Sequence, residues 1–284
     1  MSCLSEFKKS LKTILLTMVI ACIQALGGDP TAQVLTIPDG AGTHWVVDQA
    51  EEIVQYITFN PAYVQSRLPS KLRFITIKEL AAGNVGWAAD YLAAHPSNGN
   101  WGVSFLEIVR MRTFTIDRRE PRWPKHGAVA LWCARVAPSD STVNLGQGRP
   151  LLVLDFWIPD SAYAVYMCRK GFYATYGGVR LYRDSEERWH GSIQADKFHA
   201  VALCKPSGPV IGGPESRGEQ ALFPPASSSV TEVVRVAFAG HREQECDENS
   251  SWRFQGTHPL VDGILVGSSI YEFGYNLVGG AYLR

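Results

Sequence analysis

Residues 102–115 alternate with a period of two: Val103, Phe105, Glu107, Val109, Met111 and Thr113 fall on one side, the intervening residues on the other. Fourteen residues of that pattern make a long β-strand, and this strand sets the class of fold. Shorter runs at 127–136, 150–158, 198–204, 231–239, 252–255 and 270–275 are rich in β-branched and aromatic residues and read as further strands. Residues 33–38 form an edge strand, 54–58 another strand and 72–77 a short one, while 179–183 and 190–194 flank the turn-like Asp184–Glu187 as a hairpin. Helical spacing is confined to short stretches: 60–67, opened by Asn60-Pro61, 78–82, 86–95, and 161–170 with Asp160 placed to cap it. Residues 205–229 are dense in Pro, Gly and Ser and read as one long surface loop. Residues 277–283 fit a helix or a strand. No internal repeat or clean linker divides the chain, so one α+β domain around a barrel or sandwich is expected.

The first 28 residues form a separate region, ahead of a domain over 29–284. A basic stretch (Lys8, Lys9, Lys12) precedes the apolar run 13–26 and a Gly-Gly-Asp-Pro break. That layout fits a secretory signal, and Val19-Ile20-Ala21-Cys22 also matches a lipobox that would anchor the chain to a membrane through Cys22. An extra helix packed on the domain fits as well. The compartment is therefore either secreted or membrane-anchored, if this segment is a signal, or cytoplasmic.

Lys plus Arg and Asp plus Glu both number 27, so the formal net charge is zero. This lacks the basic excess of a nucleic-acid binder or of a protein that coats acidic membranes. The six cysteines form no CxxC pair and the seven histidines never fall at chelating spacing, so no metal is expected. Cys133 lies within an apolar run and Cys204 ends another, as buried, reduced residues do. His258 before Pro259 reads as a loop or capping histidine. The sequence holds no GxSxG, HExxH or GxxxxGK[ST], and no GxGxxG after a strand, hence no expected cofactor. The informative residue is Glu107, between Leu106 and Ile108 on the long strand. A carboxylate buried there costs several kcal/mol unless paired, so it is either functional or paired, unless the strand is an edge and Glu107 faces water. Arg110 and Arg112 point to the opposite, solvated side.

The stretch Asp155-Phe-Trp-Ile-Pro-Asp-Ser-Ala-Tyr-Ala-Val165, followed by Gly171-Phe172 and Tyr176-Gly-Gly-Val-Arg-Leu-Tyr182, resembles the acetoacetate decarboxylase superfamily. Asn60–Pro69, Phe105-Leu-Glu-Ile108 and His258-Pro-Leu260 with Val266-Gly-Ser-Ser269 agree in order, over about residues 50–284. The resemblance implies a closed, mainly antiparallel β-cone with a few short peripheral helices, enclosing a hydrophobic pocket, and suggests a homo-oligomer. It also implies a Schiff-base lysine whose cationic neighbour lowers its pKa. Here that lysine run reads Gly171-Phe172-Tyr173-Ala174-Thr175, the Gly-Arg-Glu positions read Tyr166-Met167-Cys168, and no arginine stands near 54–58. Glu107 looks like a retained carboxylate of the family's site.

Three readings follow. The first is an enzyme for a keto or polyketide-like substrate, working by general acid–base chemistry of the lyase, isomerase or cyclase type without a Schiff base. In it, Tyr173 and Thr175 line the pocket and Glu107 is acid or base. The second is a non-catalytic carrier of a small hydrophobic, carbonyl-containing ligand. The third is a decarboxylase using a displaced lysine such as Lys170, beside Arg169; the run Arg119–Lys125 imitates the family's lysine segment but falls in a loop. The enzyme is favoured over the carrier because a Glu and Tyr in a dry pocket are costly to keep for packing alone.

Overall fold

A computed structural model describes residues 45–116, 127–141, 145, 149–169, 171–213, 217–225 and 232–282. The strands it contains are β1 (Trp45–Phe59), β2 (Leu72–Phe74), β3 (Gly102–Ile116), β4 (Val129–Pro138), β5 (Arg149–Ile158), β6 (Ala174–Tyr176) and β7 (Gly178–Arg183). They continue with β8 (Trp189–Ala195), β9 (Phe198–Cys204), β10 (Pro206–Gly212), β11 (Arg217–Phe223), β12 (Glu232–Cys246), β13 (Ser251–Gly256) and β14 (Ile264–Tyr282). Helices α1 (Ile77–Ala82), α2 (Gly86–Ala94) and α3 (Ser161–Arg169) are short. The fold is mostly β. Residues 1–44, which hold the signal-like segment and the expected edge strand 33–38, lie outside the described residues. Among the described residues no helix is long and apolar enough to cross a membrane.

Strand β3 is central, with β1 on one side and β4 on the other. The large sheet runs β2-β4-β3-β1-β14-β12-β11-β5-β6, with β10 on β12. Strand β5 pairs in parallel with β11 and also antiparallel with β4. A second sheet, β13-β9-β8-β7, covers one face of the first. Ile53, Ile57, Leu106, Ile108 and Trp132 pack there against Leu181, Trp189, Ile193 and Phe198, each full burial contributing about 1.5–3 kcal/mol. Gly191 sets the approach of the two sheets, because a Cβ there would lie 2.5 Å from Ile53 Cδ1 and 2.9 Å from Ile108 Cδ1. The other face of the large sheet carries Ala50, Val109, Leu131, Cys133 and Val153, packed on Tyr163, Ala164 and Met167 of α3 and on Phe172.

Local signals work as read for several elements. Asp160 Oδ1 accepts from Tyr163 N at 2.8 Å and starts α3. At α1 the structure adds a signal not singled out from the sequence, a reciprocal capping box of Thr76 and Glu79. The Asp184–Glu187 turn joins β7 to β8 as expected, its carboxylate accepting from Glu186 N at 2.9 Å and Arg188 N at 3.0 Å. His258 caps the 3-10 turn Pro259–Asp262 through Nδ1, which accepts from Leu260 N at 3.2 Å.

Four expectations are corrected. Segment 205–229 contains β10 and β11, because pairing with β12 overrides the turn-forming composition. The short strand at 72–77 ends at Phe74, and Ile77 already belongs to α1. Arg110 is not solvated, since the second sheet covers its side: its Nε donates to the buried Glu51 carboxylate at 2.8 Å, and its guanidinium lies 5.6 Å over the Trp189 ring. Cys204 is not reduced but forms a disulfide with Cys246, Cα atoms 5.3 Å apart, tying β9 of the small sheet to β12 of the large one. Cys133 is free and buried as read. The bond spans 42 residues, and replacing both cysteines with alanine is expected to lower stability by about 2–4 kcal/mol, read as a lower urea midpoint with a steeper slope, because the unbridged chain exposes more surface on unfolding. An unchanged midpoint would mean the bridge does not constrain the unfolded chain.

Candidate active site

The register of β1 against β3 sets Val54 opposite Glu107 and Glu52 opposite Val109, so Glu52 and Glu107 are diagonal neighbours on one face. Across the next two strands, Glu52 is opposite Tyr271 of β14, and Tyr271 is opposite Glu243 of β12. The row Glu107, Glu52, Tyr271, Glu243 therefore crosses four adjacent strands on the face away from the second sheet. Tyr56, on the same side of β1, hydrogen-bonds through its hydroxyl to the Tyr271 hydroxyl, and Tyr271 donates to Glu243 Oε1 at 2.7 Å. His241 lies with its ring 5.1 Å from that of Tyr271.

These environments displace proton affinities. Burial holds the Glu52 carboxyl well above the usual range, reinforced by the charge and hydrogen bond of Glu107 and by Glu243. Burial also pushes Glu107 up to about 7, and the hydrogen bond from Glu52 partly opposes the rise. Glu52 thus keeps the proton and donates it, while Glu107 is poised near neutrality; the two titrate as a pair. Glu52 is 6% exposed, whereas Glu107 retains more accessible surface. Burial raises Glu243 too, against the hydrogen bond from Tyr271 and the nearby Ser269 hydroxyl. The Cys133 thiol is raised by burial and by the charges of Glu107 and Glu52. His241 is lowered by burial and by Arg149. Among the described residues, no three His, Cys, Asp or Glu side chains form a group that could hold a metal ion.

The carboxyl pair carries a pH signature. The unfolded chain loses these protons near the ordinary carboxyl value of 4.5, whereas the folded chain keeps the Glu107 proton to about 7 and holds the Glu52 proton well above the usual range. Their contribution to stability is complete below pH 4.5 and is lost as the pH rises through that window, about 1.4 kcal/mol for each unit of raised pKa. Glu52→Gln is expected to flatten the decline of the thermal midpoint between pH 5 and 8 by roughly half; an identical decline in both proteins would remove Glu52 from the pair.

The sequence-derived candidates are dispersed. Glu107 sits in the row just described. Tyr173 lies under Arg67, whose guanidinium is 5.0 Å above its ring, and that arginine pairs with Asp155 at 2.6 Å. Thr175, on β6, is exposed. Among the described residues, no recorded contact joins either to Glu107. Lys170 and residues 119–125 lie outside the described residues. Glu52, Glu243, Tyr56 and Tyr271 were not read as site residues from sequence. Glu52 lies beside Glu51 in the mixed run Asp48–Gln55, so it does not stand out as a lone charge in an apolar strand as Glu107 does; Glu243 sits in the polar run His241–Cys246, which gives no sign of being a strand.

A mostly-β fold with an acid-and-tyrosine row on its sheet can be set beside solved structures. The acetoacetate decarboxylase from Legionella pneumophila subsp. pneumophila str. Philadelphia 1 superposes with a TM-score of 0.53 at 12% identity, covering 92% of this chain and 95% of that one. A second structure described as acetoacetate decarboxylase gives 0.50 at 11% identity, covering 87% and 91%. The chain has the acetoacetate decarboxylase-like fold. No protein-family model matches the sequence, and no curated protein matches it.

Proposed function

We propose that this protein is an enzyme that enolises a carbonyl compound by general acid–base chemistry, without a Schiff base. The observation that carries the reading is the Glu52–Glu107 pair, one carboxyl retaining its proton and the other poised near neutral pH, as acid–base work demands. The family's β-cone would close through β5, which pairs with both β4 and β11, leaving the acidic row facing inward. Ionised Glu107 takes a proton from the carbon next to the carbonyl; the C–H electron pair becomes the enolate double bond, and charge moves to oxygen. Tyr56 and Tyr271, on the same face, supply hydroxyls for that oxygen by turning from the bonds they make to each other and to Glu243. Reprotonation elsewhere makes the enzyme an isomerase, loss of a β-substituent a lyase, and attack on a second carbonyl a cyclase. All begin with the step at Glu107.

The test is deuterium exchange at the α-carbon of a panel of methyl ketones, followed by NMR, beside borohydride treatment read by intact mass. Exchange above the buffer rate with no added mass is expected. A borohydride adduct on Lys170 or Lys125 would move the chemistry to an imine, and no exchange with any ketone would leave the carrier reading.

A further inference from the structure

We propose that the site admits carbonyl compounds that are uncharged and rejects keto acids in their carboxylate form, an inference that rests on reading the row as the active site. The chain's other enclosed acids have cationic partners: Glu51 is held by Arg110, and Asp155 by Arg67 and His258. Glu52, Glu107 and Glu243 have no such partner among the described residues. They neighbour one another across adjacent strands and hydrogen-bond to each other or to hydroxyls. The cation felt there is Arg149, which acts on Glu243 and His241 through space without forming an ion pair among the described residues.

A second observation marks the same place as open to a ligand. Ser269 of β14, fully buried on the side of Tyr271, lies near enough to the Glu243 carboxyl to favour its charge, yet its hydroxyl has no hydrogen bond of full geometry. A ligand oxygen completes that bond. A buried carboxylate entering beside this row would meet like charges in a medium that screens them poorly, and among the described residues the cation acting there, Arg149, already offsets the charge of Glu243. A ketone or an ester meets no such repulsion, and its oxygen accepts from the Ser269 hydroxyl. Tyr271 partners Glu52 on β1 and Glu243 on β12 in register, so the strands hold the acids to one face of the sheet, side by side where an incoming anion would meet them.

The experiment compares acetoacetate with methyl acetoacetate, which differ at one end by a charge, in calorimetric titrations of the full chain at pH 8. The ester is expected to bind at least about tenfold tighter than the acid. Glu243→Gln is expected to narrow that ratio, chiefly by improving acetoacetate. Equal or tighter binding of acetoacetate to the wild-type protein overturns the proposal, as does failure of both to bind. The deuterium exchange assay separates the two levels. Ester preference without exchange overturns the acid–base reading alone, and exchange that is equally fast on acid and ester overturns the charge preference alone.

Discussion

Glu107→Gln is expected to slow ketone α-proton exchange by about 10²–10⁴-fold, the usual loss when a positioned base is removed. The substitution keeps the shape and a hydrogen-bonding partner for Glu52 while abolishing the carboxylate. Because Glu107 must be ionised to act, the wild-type rate should rise with pH through about 7 and level off above it. The variant should show no such step. A variant with wild-type exchange and an unaltered pH profile would sink the role given to Glu107. The thermal midpoint, measured alongside, separates loss of chemistry from loss of fold.

Asp155→Ala is expected to destabilise the fold as much as loss of the disulfide. The Asp155 carboxylate takes the Arg67 guanidinium at 2.6 Å and His258 Nε2 at 3.1 Å, while Arg67 also donates to the Leu154 carbonyl at 2.9 Å. With Nδ1 of His258 accepting from Leu260, Nε2 carries the proton and donates. One carboxylate thereby fastens the turn Gln65–Arg67, strand β5 and the turn Pro259–Asp262. Its removal strands a part-buried cation and an imidazole N–H, a loss of about 2–4 kcal/mol, or roughly 5–12 °C in the thermal midpoint. Arg67→Ala added to it should cost less than the sum of the two single changes. Full additivity would show that the cluster does not act as a unit.

Strand positions were legible wherever side chains on one face had to alternate, as in 102–115 and 198–204. They were illegible where pairing decides against composition: Pro206, Gly208 and Pro209 stand in β10 because β12 offers a partner edge. Arg110 was misassigned for a related reason, since a period of two separates faces but cannot reveal that a second sheet covers one of them. The family resemblance rested on order of elements, and the fold agrees with it. Glu107 could be picked out because a charge interrupts an apolar strand. Its neighbours could not, because Glu52, Tyr271 and Glu243 meet it only through the register of strands far apart in sequence. Tyr173, aligned with the family's lysine run, stacks on Arg67 instead.

The pairing of β1 with β14 has a consequence for how the chain acquires its chemistry. Gln55 of β1 hydrogen-bonds the carbonyl of Gly267, 212 positions away. Contacts of that range are made late and slowly, because a long loop must close before they form. During synthesis β1 can align with β3 as soon as both have emerged, but its other edge waits, unpaired and adhesive, until β14 arrives. Until then Glu52 lacks the cover of β14 and the charge of Glu243 on β12, which stands beyond it, two of the causes that raise its proton affinity. The full proton affinity of the pair is a property of the finished fold, completed when the last strand docks.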